Sequence, residues 1–462
     1  MNKYFILVIG ITIMLPGCIV GPGQKKPHAP SMKHYSHQKV ENDNRLTQWW
    51  LEFADPVLND LIKQALAHNY DLAIALEKIE EARALFQLKT GQMFPEVGAL
   101  AFAAKTRFSS DSPFNRLFGR NGNGTSFFLL GFDAMWEIDI WGKLRRAREA
   151  AGYQMFAQIE QARMVHIMLI ADVARAYINY TALSIQQEIL SHVVTIDEQL
   201  LNLVNHRFKA GLDSELEYLT QEQQTTLSKN ALSVTKTNLQ QTKNQIAVLL
   251  GLLPDEIKLD APKRVPVGPD TPQTGIPSDL LRRRPDIRKA EKEVAAAIEL
   301  TGAAVAEWFP SFKIFGLVGT GGLNASHFFD GGTLSWFIFP SIQWPLINFG
   351  RIKANVKAKE SAHKQAVLQY TKTVIEAFAE VEDFMIAYSE SKKQTIQSAE
   401  RVESLKNSFT LINESFSSGL NNSLDQLTAQ KNLLLAEYVD VQLQQQENVN
   451  LIGLYKALGG GW

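Results

Sequence analysis

Two proline-free stretches, residues 114–253 and 346–462, constrain this 462-residue chain more than any other feature. Each contains a 68-residue segment that is predicted to be helical, at residues 143–210 and 351–418. Proline interrupts helices, and an uninterrupted helix of that length would be roughly 100 Å long. A compact domain has no room for such a helix. The sequence therefore predicts long helices packed in a coiled coil or a helical barrel.

Apolar residues along the second long segment recur at alternating spacings of four and three. The positions are Val374, Phe378, Val381, Met385 and Tyr388, and then Val402, Leu405, Phe409, Ile412 and Phe416. This heptad spacing is typical of helices packed side by side. Charged residues interrupt both long segments and exclude an apolar membrane-spanning helix there. An isolated coiled-coil rod is the alternative that the pattern leaves open.

The chain also contains a duplicated unit. At an offset of 215 residues, Asp71-Leu72 matches Asp286-Ile287 and Phe94-Pro95 matches Phe309-Pro310. At an offset of 208, Trp136 matches Trp344, Gly142 matches Gly350, and Gly211-Leu212 matches Gly419-Leu420. The change of offset falls between Pro95 and Trp136, where a surface loop would tolerate a difference in length. Several matches at two fixed offsets indicate an internal repeat.

The duplication sets the predicted organisation of the chain. The predicted segments are a signal peptide at 1–17, an N-terminal segment at 18–55, a first copy at 56–251, a connecting segment at 252–277 and a second copy at 278–462. Each copy is expected to contain a helix, two strands, a long helix and a return helix. The expected ranges are 57–92, 96–140, 143–210 and 213–250 in the first copy, and 278–308, 311–347, 351–418 and 421–457 in the second.

The strand regions alternate with period two. Apolar residues fill the even positions from Phe128 to Ile138, while Asp133 and Glu137 lie on the odd ones. Such strands have one apolar face, which could meet a protein core or lipid. Glycine-rich tracts at 121–124 and around 331–332 are expected to form the hairpin loops. Two hairpins give only four strands, and an open sheet cannot leave its edges unpaired in lipid. If the strands span a membrane, several chains must share one barrel.

The N-terminus has the pattern of an export signal with a lipid anchor. Residues 4–15 form an apolar run of 12 residues behind Lys3, whereas a spanning helix needs about 20. The run ends in Leu15-Pro16-Gly17-Cys18, which resembles the bacterial lipobox, and Cys18 is the only cysteine. We expect Cys18 to carry N-acyl and S-diacylglycerol lipid, and no other cofactor is expected. Ile19, rather than Asp, implies sorting to the outer membrane. A chance cysteine after an ordinary signal peptide is the alternative.

Other function classes find little support. A net charge of −1 argues against a general nucleic-acid binder. The run Arg282-Arg283-Arg284 is expected to pair with neighbouring carboxylates and carbonyls rather than with phosphate. The lone cysteine and scattered histidines exclude a multi-cysteine metal site and suggest no metal cluster. We find no nucleophile elbow and no paired-carboxylate signature, so the chain is not expected to be an enzyme.

Several motifs together resemble the TolC-like outer-membrane factors, specifically the NodT group of efflux lipoproteins. They are the sequence IPSDLLRRRPDI at 276–287 with Glu291, the run Trp141, Gly142 and Lys143 after a strand, the two Phe-Pro helix ends, and Phe416-x-x-Gly419 before Leu424-Asp425. The resemblance covers residues 18–462. It implies a mainly α fold with a small membrane β part. A homotrimer would build a 12-stranded β-barrel in the outer membrane and a long α-helical barrel across the periplasm.

The resemblance also implies a role and partners. The chain would be the exit duct of a tripartite system that passes small molecules from an inner-membrane pump, through a periplasmic adaptor, to the outside. The segments 19–55 and 252–277, with the C-terminus, would form a belt around the duct. The turns at Gly211-Leu212 and Gly419-Leu420 would be periplasmic tips that meet the adaptor. Cargo, pump and adaptor identity are not specified by the sequence.

A periplasmic gate is implied just after the second tip. Three copies of Leu424 would form an apolar constriction, and three copies of Asp425 an acidic ring that favours cations. A solvated acidic residue near a helix N-terminus is the alternative for Asp425. Thr428 stands where a second aspartate often follows in the family. Phe416 and Asn421 stand where some relatives have latch residues Tyr and Arg, so the latch and the resting state are left open.

A structural coiled-coil lipoprotein that tethers envelope layers is the alternative function. It would need neither lipid-facing strands nor conductance. The duct is preferred because it accounts for the repeat, the two periodicities and the lipobox together.

Overall fold

The computed structural model describes residues 19–24, 27–30, 44–107, 125–260, 262–269, 281–323 and 332–462. The expected signal peptide and Cys18 lie outside these residues. So do the hairpin-loop tract at 121–124, Gly331, and residues 276–280 of the arginine-containing motif.

The described residues form seven helices longer than ten residues, four strands and a 3-10 helix. The 3-10 helix is Asn44–Phe53, and the α-helices are α1 Pro56–His68, α2 Tyr70–Gly91, α3 Lys143–Lys209, α4 Glu215–Leu249, α5 Pro285–Ala306, α6 Arg351–Ser417 and α7 Ser423–Ala457. The strands are β1 Glu96–Thr106, β2 Thr125–Ile138, β3 Ser311–Gly322 and β4 Leu334–Gln343. The mainly α architecture with a small β part is confirmed. The two long helices α3 and α6 have 67 residues each.

None of the described helices is both long enough and apolar enough to cross a membrane.

The expectation of a single helix at 57–92 is wrong, because Asn69 separates α1 from α2. Its backbone is extended, with ψ of 128°, and its N–H donates to Ala65 O. Its side-chain oxygen accepts from Leu72 N at 3.0 Å, and its side-chain nitrogen donates to Leu249 O at 3.0 Å. Asparagine can thus end one helix and cap the next with its own amide.

In the second copy, the described α5 begins later than the expected start at residue 278. Pro285 occupies its first position, where a missing N–H costs nothing and the fixed φ suits a helix. The residue before a proline disfavours helical geometry, so Arg284 separates α5 from the helical turn at 281–283.

The chain divides into two compact units, each assembled from three segments. One unit consists of Met1–Pro27, Ile79–Ala157 and Ala290–Tyr370 and contains the sheet. The other consists of His28–Lys78, Gln158–Lys289 and Thr371–Trp462 and contains both Gly-Leu turns.

The four strands form one antiparallel sheet in the order β1-β2-β3-β4. In the first hairpin Glu96 faces Met135, and in the second Ser311 faces Gln343. These positions differ by 215 and 208 residues, the two offsets of the sequence repeat. The hairpins therefore share one register, which confirms the duplication. We call residues related by these offsets counterparts. The strands β2 and β3 join the two copies, which leaves β1 and β4 as the sheet edges.

The heptad residues of α6 pack in the second unit as their spacing indicates. The buried ones are Val374, Phe378, Val381, Met385 and Tyr388. Farther along, Val402, Leu405, Phe409 and Ile412 are half-buried, and Phe416 is 37% exposed.

The 3-10 helix contacts the end of α7. Trp49 of the 3-10 helix stacks on Tyr455 of α7 with ring centroids 5.1 Å apart, and the Tyr455 hydroxyl donates to Glu52.

Candidate functional site

Both Gly-Leu turns reverse a helix pair with the same hydrogen bonds. Gly211 has φ of +75° and Gly419 has φ of +74°, a conformation that glycine adopts at no steric cost. In the first turn, Gly211 N–H donates to Phe208 O at 2.9 Å and Leu212 N–H donates to Arg207 O at 2.8 Å. In the second turn, Gly419 N–H donates to Phe416 O and Leu420 N–H donates to Ser415 O, each at 2.9 Å. Each turn is a Schellman motif, which satisfies the last carbonyls of the long helix.

Side chains strengthen the first turn. Arg207 binds Asp213 through two parallel bonds of 2.8 Å each. The bond from Arg207 lowers the pKa of the Asp213 carboxyl below its ordinary value. Ser214 then begins α4 with a capping box, in which its N–H donates to the Glu217 carboxylate at 2.7 Å.

The second turn lacks the counterpart of this ion pair. Ser415 stands in place of Arg207, and Asn421 in place of Asp213. The cap of α7 is Asn422, whose side-chain oxygen accepts from Asp425 N–H at 2.9 Å. The two turns thus share their backbone geometry but differ in how they are held by side chains.

The expected gate residues lie in the first turn of α7. Leu424 is half-buried and Asp425 is exposed. Asp425 is the counterpart of Glu217, and both occupy the third helical position after the cap. An acidic residue there is favoured by the helix dipole, which accounts locally for its presence. Thr428 is also exposed, one helical turn after Asp425.

A buried ion pair near the second turn was missed in the sequence. The Asp197 carboxylate on α3 accepts from Lys431 Nζ on α7 and from Ser228 Oγ on α4, each at 2.6 Å. Gln221 Nε2 lies 3.3 Å from the same carboxylate. The Asp197 side chain is completely buried, and that of Lys431 is 13% exposed.

The repeat contained a signal for this ion pair. The counterpart of Asp197 is Leu405, one of the heptad positions. An acidic residue at a position that is apolar in the other copy needs a buried cationic partner.

Within the arginine run, Arg284 pairs with neighbouring carboxylates and a carbonyl as expected. Arg284 binds Asp286 at 2.7 Å, Glu380 at 2.7 Å and Ala457 O at 2.8 Å. It therefore ties the start of α5 to α6 and to the end of α7. Among the described residues, no group of three or more His, Cys, Asp or Glu could hold a metal ion.

Comparisons with known proteins agree with this architecture. The profile of the outer membrane efflux protein family matches residues 61–252 and 276–460. The chain is 29% identical over 476 residues to the probable outer membrane lipoprotein SilC of Salmonella typhimurium, covering all of both chains. It is 29% identical over 463 residues to the outer membrane protein OprJ of Pseudomonas aeruginosa, covering 98% of this chain and 95% of OprJ.

Solved structures show the same fold. The outer-membrane channel OprN superposes with a TM-score of 0.84 at 26% identity, covering 96% of this chain and 100% of OprN. The open state of the MtrE outer membrane channel of Neisseria gonorrhoeae also gives a TM-score of 0.84 at 26% identity, covering 96% of this chain and 98% of MtrE.

These matches confirm the resemblance noted in the sequence, the outer-membrane location and the role as an efflux exit duct. They assign the chain to a class of channels rather than to a class of enzymes. With both copies of the repeat matched by one profile, the chain belongs to the outer membrane efflux protein family.

Proposed function

We propose that three copies of the chain form one exit duct. In it, small molecules pass from an inner-membrane pump and a periplasmic adaptor to the outside without chemical change. The observation that carries the proposal is the four-stranded sheet, which ends in the two edge strands β1 and β4. Edge strands in lipid must be paired, and three sheets of four strands would close a 12-stranded barrel.

The gate in this proposal is the first turn of α7. Three exposed Asp425 carboxylates around one axis would attract cations, and three Leu424 side chains would narrow the passage beside them. Support comes from the position of both residues directly after the turn at Gly419 and from the exposure of Asp425.

The adaptor would bind at the two Gly-Leu turns. Leu212 and Leu420 are 70% and 80% exposed, so each turn presents an apolar side chain at its end. These two leucines are the apolar side chains that the turns would offer to the adaptor.

The lipid anchor would sit on Cys18. Support comes from the residues that follow it, which are held against the end of β2. Val20 N–H donates to Trp141 O at 3.3 Å, and Gln24 Nε2 donates to Glu299 Oε1 at 2.9 Å. A fixed segment at this point would place an acyl group beside the strands. The name of the relative SilC, a probable outer membrane lipoprotein, points the same way.

Conductance of the purified protein in planar lipid bilayers tests the proposal. A duct should give discrete channels that favour cations. The alternative of an envelope-tethering lipoprotein predicts a silent bilayer. The full system would be supported if cells that lack their own exit duct regain export when they receive this chain. The proposed duct would be refuted if bilayers stay silent and export is not restored.

A further inference from the structure

A cavity of about 310 Å³ lies at the end of the sheet where β2 finishes and β3 begins. All of its walls belong to the unit that contains the strands. They come from the adjoining ends of β2, β3 and β4, the first turns of α3 and α6, and the end of α5. The volume is at the lower end of the range for small-molecule sites, so the cavity suits a small ligand.

The cavity lies on the polar face of the sheet. Glu137 is opposite Lys313 in the strand register, and Lys313 is opposite Ser341, so these side chains share a face. Ile342, next to Ser341 along β4, points to the other face and is 68% exposed. In the proposed duct, apolar side chains face lipid and polar ones face the passage. The cavity would therefore lie in the wall of the passage.

The cavity contains three charged side chains of each sign. They are Glu137, Asp139 and Glu307, and Lys143, Lys313 and Arg351. Some of these charges are already in use. The Asp139 carboxylate accepts from Leu144 N at 3.0 Å and from Arg145 N at 2.8 Å, which caps the start of α3. Lys143 Nζ lies 3.8 Å from the Glu137 carboxylate.

Three of the charges have no ionic partner among the described residues. They are the cations Lys313 and Arg351 and the carboxylate of Glu307, which accepts from the Asn355 amide at 3.2 Å. Lys313 and Glu307 are half-buried, and Arg351 is exposed. A charged group that loses hydration is stabilised by an opposite charge. A ligand that carries both charges would supply what these side chains lack.

An aromatic pair forms part of the wall beside these charges. The rings of Trp141 and Phe309 stack with centroids 4.7 Å apart, and both residues line the cavity. Trp141 Nε1 donates to Pro310 O at 2.8 Å, which fixes the orientation of the indole. The pair thus offers a fixed apolar surface to the body of a ligand.

We propose that this cavity binds a zwitterionic small molecule with an apolar body as it passes through the duct. The anionic group of the ligand would bind Lys313 and Arg351, and its cationic group would bind Glu307. Its body would lie against the ring pair. The inference rests on the proposed duct and names a class of cargo. A zwitterion also suits the proposed acidic gate, which would repel a molecule that carries negative charge alone.

Three compounds with one ring system test this class. Tryptophan is a zwitterion near neutral pH, tryptamine is a cation and indole-3-propionate is an anion. Calorimetric titration of the detergent-extracted native protein should show one tryptophan bound per chain. Each of the other two compounds lacks one charged group, so each should bind roughly tenfold more weakly or worse. Equal binding of tryptophan and either analogue would overturn the zwitterion.

Substitutions then assign the two charged groups. Glu307→Gln should weaken tryptophan by roughly tenfold and leave indole-3-propionate unchanged. Lys313→Gln with Arg351→Gln should weaken tryptophan at least as much and leave tryptamine unchanged. Lys353→Gln is the matched control, because Lys353 is exposed in the same turn as Arg351 and does not line the cavity. Tryptophan binding that survives the cavity substitutions, or that falls equally in the control, would overturn the site.

The outcomes separate this inference from the proposed function. A native protein that conducts in bilayers but does not bind tryptophan would overturn the site and leave the duct in place. A native protein that binds tryptophan as described but never conducts would contradict the duct and leave the site. Circular dichroism identifies any variant that fails to fold, and the comparison of the three compounds on the native protein needs no variant.

Discussion

Lys431 Nζ lies 2.6 Å from the completely buried carboxylate of Asp197, which ties the helix that carries the proposed gate to the first copy of the repeat. Lys431→Met would leave that carboxylate buried without its cation. Losing one partner of a buried pair costs about 3–5 kcal/mol. We therefore expect a large loss of stability, measured by denaturant unfolding followed by circular dichroism.

The repeat suggests the control for this variant. Leu405 is the counterpart of Asp197, so Asp197→Leu replaces the carboxylate with the residue that stands at this position in the second copy. The double variant Asp197→Leu with Lys431→Met should recover most of the stability lost in Lys431→Met. A double variant as unstable as that single one would show that the ion pair is not the source of the loss.

Asp425 is predicted to set the ion preference of the gate. Asp425→Asn keeps the size of the side chain and removes its charge, so cation selectivity in planar bilayers should fall. Asp425→Ala should in addition raise open-state conductance. Thr428→Ala, one turn further along α7, is the matched control and should leave selectivity close to native. An unchanged channel in Asp425→Ala would remove this residue from the gate.

The first Gly-Leu turn is predicted to resist proteolysis better than the second, because only the first has the Arg207–Asp213 pair. Arg207→Ala should raise the rate of cleavage near Leu212, whereas Ser415→Ala should change little near Leu420. Limited proteolysis of the native protein and both variants, followed by mass spectrometry, measures this difference. Equal cleavage of the two turns in the native protein would contradict it.

The same ion pair predicts a pH dependence. The pKa of Asp213 is lowered in the folded chain, so its contribution to stability is present above its ordinary pKa of 3.8. That contribution disappears as the pH falls through the lowered value. At neutral pH, the amides of residues 208–214 should therefore exchange more slowly in the native protein than in Arg207→Ala. This difference should disappear only in strong acid. Loss of protection already at pH 6 would point to another group.

Cys18→Ala is predicted to abolish acylation. Metabolic labelling with a palmitate analogue should mark the native protein and leave the variant unlabelled. Residues 19–24 are held by their own contacts, so the variant is expected to fold. A labelled variant would refute the lipobox assignment.

Much of the fold could be predicted because its signals are local or repeated. The absence of proline together with the Gly-Leu breaks predicted α3 and α6 almost to the residue, and the two offsets predicted the repeat that the hairpins share. The break at Asn69 was missed although asparagine is a preferred helix cap, and part of what holds it, the bond from its amide to Leu249 O, comes from far along the chain. The Asp197–Lys431 pair joins residues 234 positions apart, so only comparison of the two copies could have suggested it.

The native mass of the detergent-extracted protein tests the central claim most directly. A shared duct requires three acylated mature chains in one particle, and this is the mass we expect. A monomer or a dimer would contradict the shared barrel, and the envelope-tethering lipoprotein would then be the better account of the chain.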